Sequence, residues 1–506
     1  MKKKILSLKD LQSKIQDLKK KKNKIILCHG VFDLMHLGHL KHFQKAKLLG
    51  GKLVVTVTPA KYINKGINRP IFSDQNRLEF LSHIEEIDYI ALNEWPSAIE
   101  TISLLKPNFY VKGNDYKKNK TDITGNIKKE IKAIKSVKGK IVYTNEITFS
   151  SSNLINLYTS NLNFKQKEYL KSLHFKNTKS IKSEVDNFNN LKVLVIGEAI
   201  IDQYNFVEAL GKSGKEPIMM FKNKNKHQYA GGALAIAKHV RDFSNHIKLI
   251  TMFGEKEEYV NFAKSSLGKN IKIEYIRKTN SPTIVKKKFL DEINKNKVFG
   301  IYNINDQQLI PKDENLFLNL IKKNIYKYDL VILSDYGHGL VSENVAKFIC
   351  KKAKFLAVNA QVNAANKGYH TISKYKNVDC VIINENELRY ELKNNDSEIK
   401  TLIKSLAKKL NLKNLVVTRG NEGAILFNNK NKNFINCPAF ASKVTDKVGA
   451  GDAMMSLISL CLKNKIEDKL SLLIGCLAGA QSVESIGNSL PINKINLLKN
   501  LEHLLK

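Results

Sequence analysis

Lys24-Ile25-Ile26-Leu27, followed by Gly30-Val31-Phe32-Asp33-Leu34-Met35-His36-Leu37-Gly38-His39, is the stretch that decides the fold. The apolar run reads as a short strand, the glycine-containing segment as a loop, and Leu40 to Leu49 as the helix that follows. A strand running through a loop into a helix is the unit of an open parallel sheet. Such sheets bind ligands at the carboxyl ends of their strands. Gly38 lets a phosphate approach the backbone, and the helix start favours negative charge. His36 and His39 bracket Gly38, so two imidazoles can donate to phosphate oxygens as charge develops.

Outward from this segment the pattern repeats. Strands are expected at Leu53–Val57, Tyr89–Leu92, near Phe109–Val111 and at Lys140–Tyr143, with helices at Arg77–Ile84 and Ala98–Leu105. Residues 158–190 are rich in Lys, Asn and Ser and read as a linker, with a helical patch at Phe164–Leu173. A second block opens at Lys192–Gly197 and continues through strands at Leu330–Leu333, Phe355–Val358, Cys380–Ile383 and Leu415–Thr418. Strands alternating with helices predict α/β architecture: two Rossmann-like parallel-sheet domains, residues 1–157 and 191–506, joined by the linker.

Composition narrows the function. The chain has 506 residues, 43% of them hydrophobic, enough for two or three packed domains. No apolar run reaches the roughly 18 residues of a membrane span, and Met1 to Asp10 lacks the apolar core of a secretory signal. Six scattered cysteines without a CxxC pair fit a reduced, cytoplasmic setting. The net charge of +37 raises nucleic-acid binding, but only six of the 84 basic residues are Arg and the lysines are spread throughout. Phosphate and base recognition favours Arg forks. The expectation is a solvated basic surface that attracts anionic substrates, with no nucleic-acid or membrane partner.

The GxFDxxHxGH stretch resembles the cytidylyltransferase-like nucleotidyltransferases over residues 24–157. The resemblance implies nucleotide or phosphate contacts at Gly30, Phe32, Lys65 and Arg77. Lys112, Gly113 and Asp115 fall in the loop that meets the nucleotide, and Ser150, Ser151 and Ser152 stand at a hydroxyl-rich helix start. His36 and His39 would be catalytic. The implied reaction is attack of a phosphate oxygen on the α-phosphorus of ATP or CTP, with pyrophosphate leaving and Mg²⁺ on the triphosphate.

Late in the chain, Thr445-Asp446-Lys447-Val448-Gly449-Ala450-Gly451-Asp452 puts a glycine turn ahead of an apolar helix. Its amides can form an anion hole for a transferring phosphoryl group, and Asp452 can take the proton of an attacking hydroxyl. Asn384 and Glu387 form an NxxE pattern suited to hydrated Mg²⁺. Thr418, Gly420 and Gly423 form a nucleotide loop, and Gly231-Gly232 precedes a helix where a sugar can approach. Together these resemble the ribokinase-like (PfkB) carbohydrate kinases, which implies ATP as phosphoryl donor and a small β lid from segments such as Asn205–Glu208, Ile218–Phe221 and Val285–Leu290. Relatives pair through that lid, so the resemblance implies a homodimer.

Gly197–Tyr204, with Asp202, and Leu333–Gly339, with Asp335, resemble more narrowly the kinase half of bifunctional heptose 7-phosphate kinase/heptose 1-phosphate adenylyltransferases, in swapped domain order. This implies a sugar phosphate substrate contacted by Asp202, Gly231, Gly232 and Asp335. Three departures bear on the acceptor. Ala235 stands where the family has a sugar-binding Asn, His338 where it has Lys, and Asn359-Ala360-Gln361 where it has Asp-Pro-Lys. Two functions remain open at this point: a two-step synthase of a nucleotide-activated sugar, or a nucleotidyltransferase with a degenerate, sugar-binding kinase domain.

Overall fold

The computed structural model describes residues 4–63, 70–113, 126–144, 162–173, 178–364, 366–367 and 369–505. It divides into two compact units, residues 1–162 with 498–506, and residues 163–497.

The first unit is built on five parallel strands: β1 (Ile25–Gly30), β2 (Lys52–Val57), β3 (Tyr89–Leu92), β4 (Phe109–Gly113) and β5 (Lys140–Thr144). Their order is β3-β2-β1-β4-β5. β1 pairs with both β2 and β4, so the winding reverses between β1 and β4. The apolar run of β1 explains its central place. Ile25 and Leu27 enter the core on one face, with Leu11, Ile15 and Tyr110. Ile26 and Cys28 enter the other, with Phe43, Val55 and Leu81. Each fully buried Ile or Leu contributes about 1.5–3 kcal/mol, so a strand apolar on both faces belongs inside a parallel sheet.

The second unit has a nine-stranded sheet. Its first seven strands in order are parallel: β10 (Ile271–Lys278), β9 (His246–Gly254), β6 (Lys192–Gly197), β13 (Leu330–Asp335), β14 (Leu356–Ala360), β15 (Cys380–Asn384) and β16 (Asn414–Thr418). β17 (Ala424–Asn428) and β18 (Asn433–Cys437) close the edge as antiparallel strands. A four-stranded lid, ordered β12 (Lys297–Asn303), β11 (Ile284–Asp291), β7 (Ala199–Lys212) and β8 (Met219–Gly232), stands apart from the main sheet. β7 and β8 run for 14 residues each, well beyond the short lid segments expected. The helix Phe164–Lys171, expected in the linker, belongs to this unit, where Tyr169 OH donates to Lys469 O at 2.7 Å.

Candidate active sites

In the first unit, β1 ends at Gly30 and the chain turns through Phe32, which adopts φ +49°. A Cβ on Gly30 would meet the Phe32 ring at 2.9 Å, so glycine is what lets the loop fold back. The Phe32 ring is buried against Phe43, 5.4 Å between centroids, and meets His39 edge-on at 5.6 Å. It seats a histidine rather than facing solvent. Asp33 Oδ1 accepts from the amides of Ile71, at 2.8 Å, and Phe72, at 3.0 Å, fastening the segment after β2 to this loop.

His36 caps the helix Leu37–Lys47 by accepting the Gly38 amide on Nδ1 at 3.1 Å. Nδ1 therefore holds the lone pair, and Nε2 carries the proton as a donor. Desolvation keeps this imidazole below its ordinary pKa. The His36 and His39 rings lie 4.0 Å apart, so the two histidines form one pair at the carboxyl end of β1.

Lys112 lies near the carboxyl end of β4, the strand paired with β1. Its Nζ donates to His29 O at 3.3 Å, lies 3.4 Å from Glu130 Oε2, and sits over the Tyr110 ring. Gly113 follows with open space around it. Sequence reasoning passed over His29. It is buried between Thr56 Oγ1, at 2.9 Å, and Thr58 Oγ1, at 3.1 Å. Burial, then the Lys112 charge, lowers it to about 3. Arg77 is placed as a staple and not as a surface phosphate ligand. It is wholly buried, with Nη1 donating to Val31 O at 2.6 Å and Thr58 O at 2.9 Å, and Nη2 paired with Asp74. Lys65, Asp115, Ser150, Ser151 and Ser152 lie outside the described residues.

In the second unit, Gly449 takes φ +90° as the N-terminal cap of the helix Ala450–Lys463. A Cβ there would overlap the Asn488 side chain, so the turn needs glycine twice over, for its conformation and for its packing. No side chain caps this helix start, and the space around Gly451 is open. The Ala450 and Gly451 amides thus present a cradle for an anion. Asp452 stands in the same turn and accepts from Tyr336 OH at 2.8 Å. Burial pushes its carboxyl up to about 6 against that hydrogen bond, and the Asp202 charge adds to the rise. A base titrating near the working pH is suited to taking a hydroxyl proton.

The loop after β13 holds Tyr336 in place. The Tyr336 and His338 amides donate to the two oxygens of Glu198, at 2.9 and 3.2 Å. Burial and the neighbouring Asp335 push Glu198 up to about 7. Asp335, expected to contact substrate, turns inward. Its carboxylate meets Lys374 at 2.6 Å, Tyr375 OH at 2.5 Å and the Gly337 amide at 3.1 Å. Burial raises Asp335, but Lys374 and its other partners outweigh that and hold it below its usual range. It supports the floor of the site. Asp202 lies on the lid, where Lys288 Nζ reaches it at 2.8 Å. Its other oxygen packs on Gly231, where a Cβ would collide with it, and Gly232 caps the helix Ala233–Val240. Gly231 makes room for Asp202, whereas a Cβ on Gly232 would meet Glu198 O and the Ile200 side chain.

Asn384 and Glu387 form a reciprocal capping box at the start of the helix Glu385–Leu392. Glu387 Oε1 also accepts the Val362 amide at 3.2 Å, and burial pushes its carboxyl up to about 7. No group of three or more His, Cys, Asp or Glu suited to a metal occurs among the described residues. Glu387 fits a more modest role. Each oxygen keeps a free lone pair, and a carboxylate destabilised by burial gains from a nearby cation. That suits Mg²⁺, which keeps several waters and needs only one or two carboxylates alongside phosphates. Thr418 ends β16, and Gly420 and Gly423 bound the turn after it. Arg419 in this turn pairs with Glu385 at 2.8 Å, tying the nucleotide-loop segment to the helix of Glu387.

Comparison with known proteins agrees with this division. The family model for cytidylyltransferase-like proteins matches residues 27–157, and that for pfkB family carbohydrate kinases matches residues 190–495. Bifunctional protein HldE of Nitratiruptor sp. is 39% identical over 127 residues, covering 25% of this chain and 27% of that protein. HldE of Campylobacter jejuni strain RM1221 is 25% identical over 323 residues, 61% of this chain and 65% of the relative. The chain thus spans less than two thirds of these relatives in any one match. Among solved structures, phosphofructokinase-2 of Escherichia coli in complex with potassium aligns with TM-score 0.50 at 13% identity, over 62% of this chain and 99% of that one. A point mutant of the same enzyme aligns with TM-score 0.51. At such identity the likeness shows the fold of the second unit and nothing further. With more than half its length matched by that family, the chain belongs to the pfkB carbohydrate kinases, and a cytidylyltransferase-like region precedes the kinase region.

Proposed function

We propose that the chain performs two consecutive transfers that end in a nucleotide-activated sugar. The second unit transfers the first phosphoryl group. The anomeric hydroxyl of a sugar phosphate attacks the γ-phosphorus of ATP, the bond to the β-phosphate oxygen breaks, and ADP leaves. Asp452 takes the hydroxyl proton, Tyr336 orients its carboxylate, and the Ala450 and Gly451 amides receive the charge of the transferring group. Asn384 and Glu387 would hold hydrated Mg²⁺, which neutralises phosphate charge. In the first unit, a sugar 1-phosphate oxygen attacks the α-phosphorus of a nucleoside triphosphate and pyrophosphate leaves. His36 and His39 donate to the phosphate oxygens, and positioning carries the rate.

The observation that carries this reading is the cradle at Gly449–Asp452, with a hydrogen-bonded base at its edge. ATP as nucleotidyl donor and a heptose-like acceptor follow from the resemblance to bifunctional heptose enzymes and from the HldE relatives. The exposed apolar residues Met219, Phe299 and Ile301 support pairing of two copies through the lid. The test is mass spectrometry of products from sugars, sugar 7-phosphates and polyol phosphates with ATP, CTP and Mg²⁺. A nucleotide-sugar formed only when both substrate sets are present supports the two-step synthase and names the base. Conversion of sugar 1-phosphates without any phosphorylation supports a sugar-binding, non-catalytic second unit, the reading that Ala235 and Asn359-Ala360-Gln361 favour.

A further inference from the structure

Two buried polar side chains of the second unit take no part in the reaction just described. Lys286 is 8% exposed and His338 is fully buried. Lys286 lies on β11, in register with Asp202 on β7 and Tyr302 on β12. Asp202 is taken by Lys288. The Lys286 ammonium instead meets ring faces, Tyr302 at 5.4 Å and Tyr336 at 5.9 Å, and makes no ion pair or hydrogen bond among the described residues.

His338 stands two residues past Tyr336. Its Nδ1 lies 2.6 Å from Asp306 Oδ1. A carboxylate accepts, so Nδ1 carries the proton and Nε2 the lone pair. Nε2 is buried and has no partner among the described residues. Burial, then the Lys286 charge, holds this imidazole at about 4, neutral at physiological pH. The Lys286 charge reaches Asp452 as well. Tyr336 links the two groups to the base: Lys286 packs over its ring, its hydroxyl bonds Asp452, and His338 follows it by two residues. Leaving either unsatisfied is costly, and more so for the charge.

The pair discriminates between ligand groups. A phosphate dianion satisfies Lys286 but turns only lone pairs toward Nε2. A hydroxyl accepts from Lys286 and donates to His338 through one oxygen. We propose that Lys286 and His338 together read a hydroxyl of the acceptor other than the one phosphorylated, and so set which polyol the second unit takes. A lysine at position 338, as in the resembling family, offers only donors. Histidine reverses that polarity, and the lid lysine supplies the donor instead. This inference rests on the kinase reading above.

The test uses the full chain with heptose 7-phosphate and its monodeoxy and monodeoxyfluoro analogues at each hydroxyl away from the anomeric carbon. Fluorine accepts weakly and cannot donate, so it isolates the contact to His338. At one position both analogues are expected to lose at least about tenfold in kcat/KM, because a site built to bond a hydroxyl rejects the analogue lacking it. His338→Lys should recover at least about fivefold of the deoxyfluoro loss relative to the parent sugar, and Lys286→Met should raise KM for the parent more than it lowers kcat. Deoxyfluoro analogues accepted within about threefold at every position, or an unchanged ranking in both His338→Lys and His338→Gln, would overturn the proposal. If no acceptor is phosphorylated, calorimetric binding of heptose 7-phosphate separates the two readings. Binding weakened about tenfold by His338→Gln keeps the hydroxyl contact and removes the kinase reading. Binding equal in both proteins, or absent, overturns the contact.

Discussion

Replacing Tyr336 with Phe should move the acid limb of the kinase reaction upward while leaving its alkaline plateau nearly unchanged. The Tyr336 hydroxyl donates to Asp452 at 2.8 Å, which favours the ionised carboxyl. Burial has already brought that carboxyl to about 6. A hydrogen bond to a charged group is worth about 1.5–3 kcal/mol, or about 1–2 pKa units. The variant's base should therefore titrate near 7–8. At pH 6.5 its ionised fraction, and with it kcat/KM, falls about eightfold for a value near 7.5, whereas at pH 8.5 the loss stays near 10%. The assay is ADP release at acceptor concentrations well below KM, from pH 5.5 to 9 at constant ionic strength. Asp452→Asn serves as the companion and should lose about 10²–10⁴-fold, with no acid limb remaining. A Tyr336→Phe limb at or below the wild-type position refutes the argument, as does an Asp452→Asn protein that keeps the limb.

Arg77→Met leaves the Val31 and Thr58 carbonyls and Asp74 without their partner and should destabilise the first unit by about 3 kcal/mol, read by chemical denaturation. Gly449→Ala forces a side chain into φ +90° against Asn488 and should lower kinase kcat about 10²–10³-fold through the displaced cradle, with ATP-dependent phosphorylation as the readout. His29 is held at about 3 in the folded chain against an ordinary 6.5, so the unfolded chain binds the extra proton and stability falls as pH drops below 6.5. Between pH 8 and 5 this one group removes about 2 kcal/mol, and His29→Gln should shrink the stability difference between those pH values, read by urea denaturation, by that amount. Phe299→Glu places a charge on the exposed lid face beside Phe289 and Phe221 and should leave a monomer in analytical ultracentrifugation where the pairing proposed above gives a dimer.

The parallel strands were legible because they are buried on both faces and so read as unbroken apolar runs, β1, β6, β13 and β16 among them. Elements buried on one side only were harder to see. The helix Leu8–Lys20 went unread within a lysine-rich terminus. Yet Leu8, Leu11 and Ile15 repeat at helical spacing, and Ser7 caps it by accepting the Asp10 amide at 3.1 Å. β8 is exposed over most of its length, so its lysines and asparagines carry no strand signal. Its identity comes from pairing with β7.

The sites divide along the same line. HxGH and Gly449–Asp452 set the proposed reacting groups within a few consecutive residues, so local sequence spells them out. What tunes them is assembled from distant segments. Tyr336 reaches Asp452 across 116 positions, and Glu198 takes the Tyr336 amide across 138. Asp335 shows the opposite effect. A carboxylate at a strand end reads as a ligand in sequence, but Lys374 and Tyr375 arrive behind it and draw it inward. Arg77 behaves likewise, since two carbonyls and an aspartate turn a surface-type cation into a buried staple. A motif therefore names the group that can touch a phosphate. Whether that group faces the ligand or the core depends on which opposite charge the fold carries to its other side, and no spacing within the motif records that.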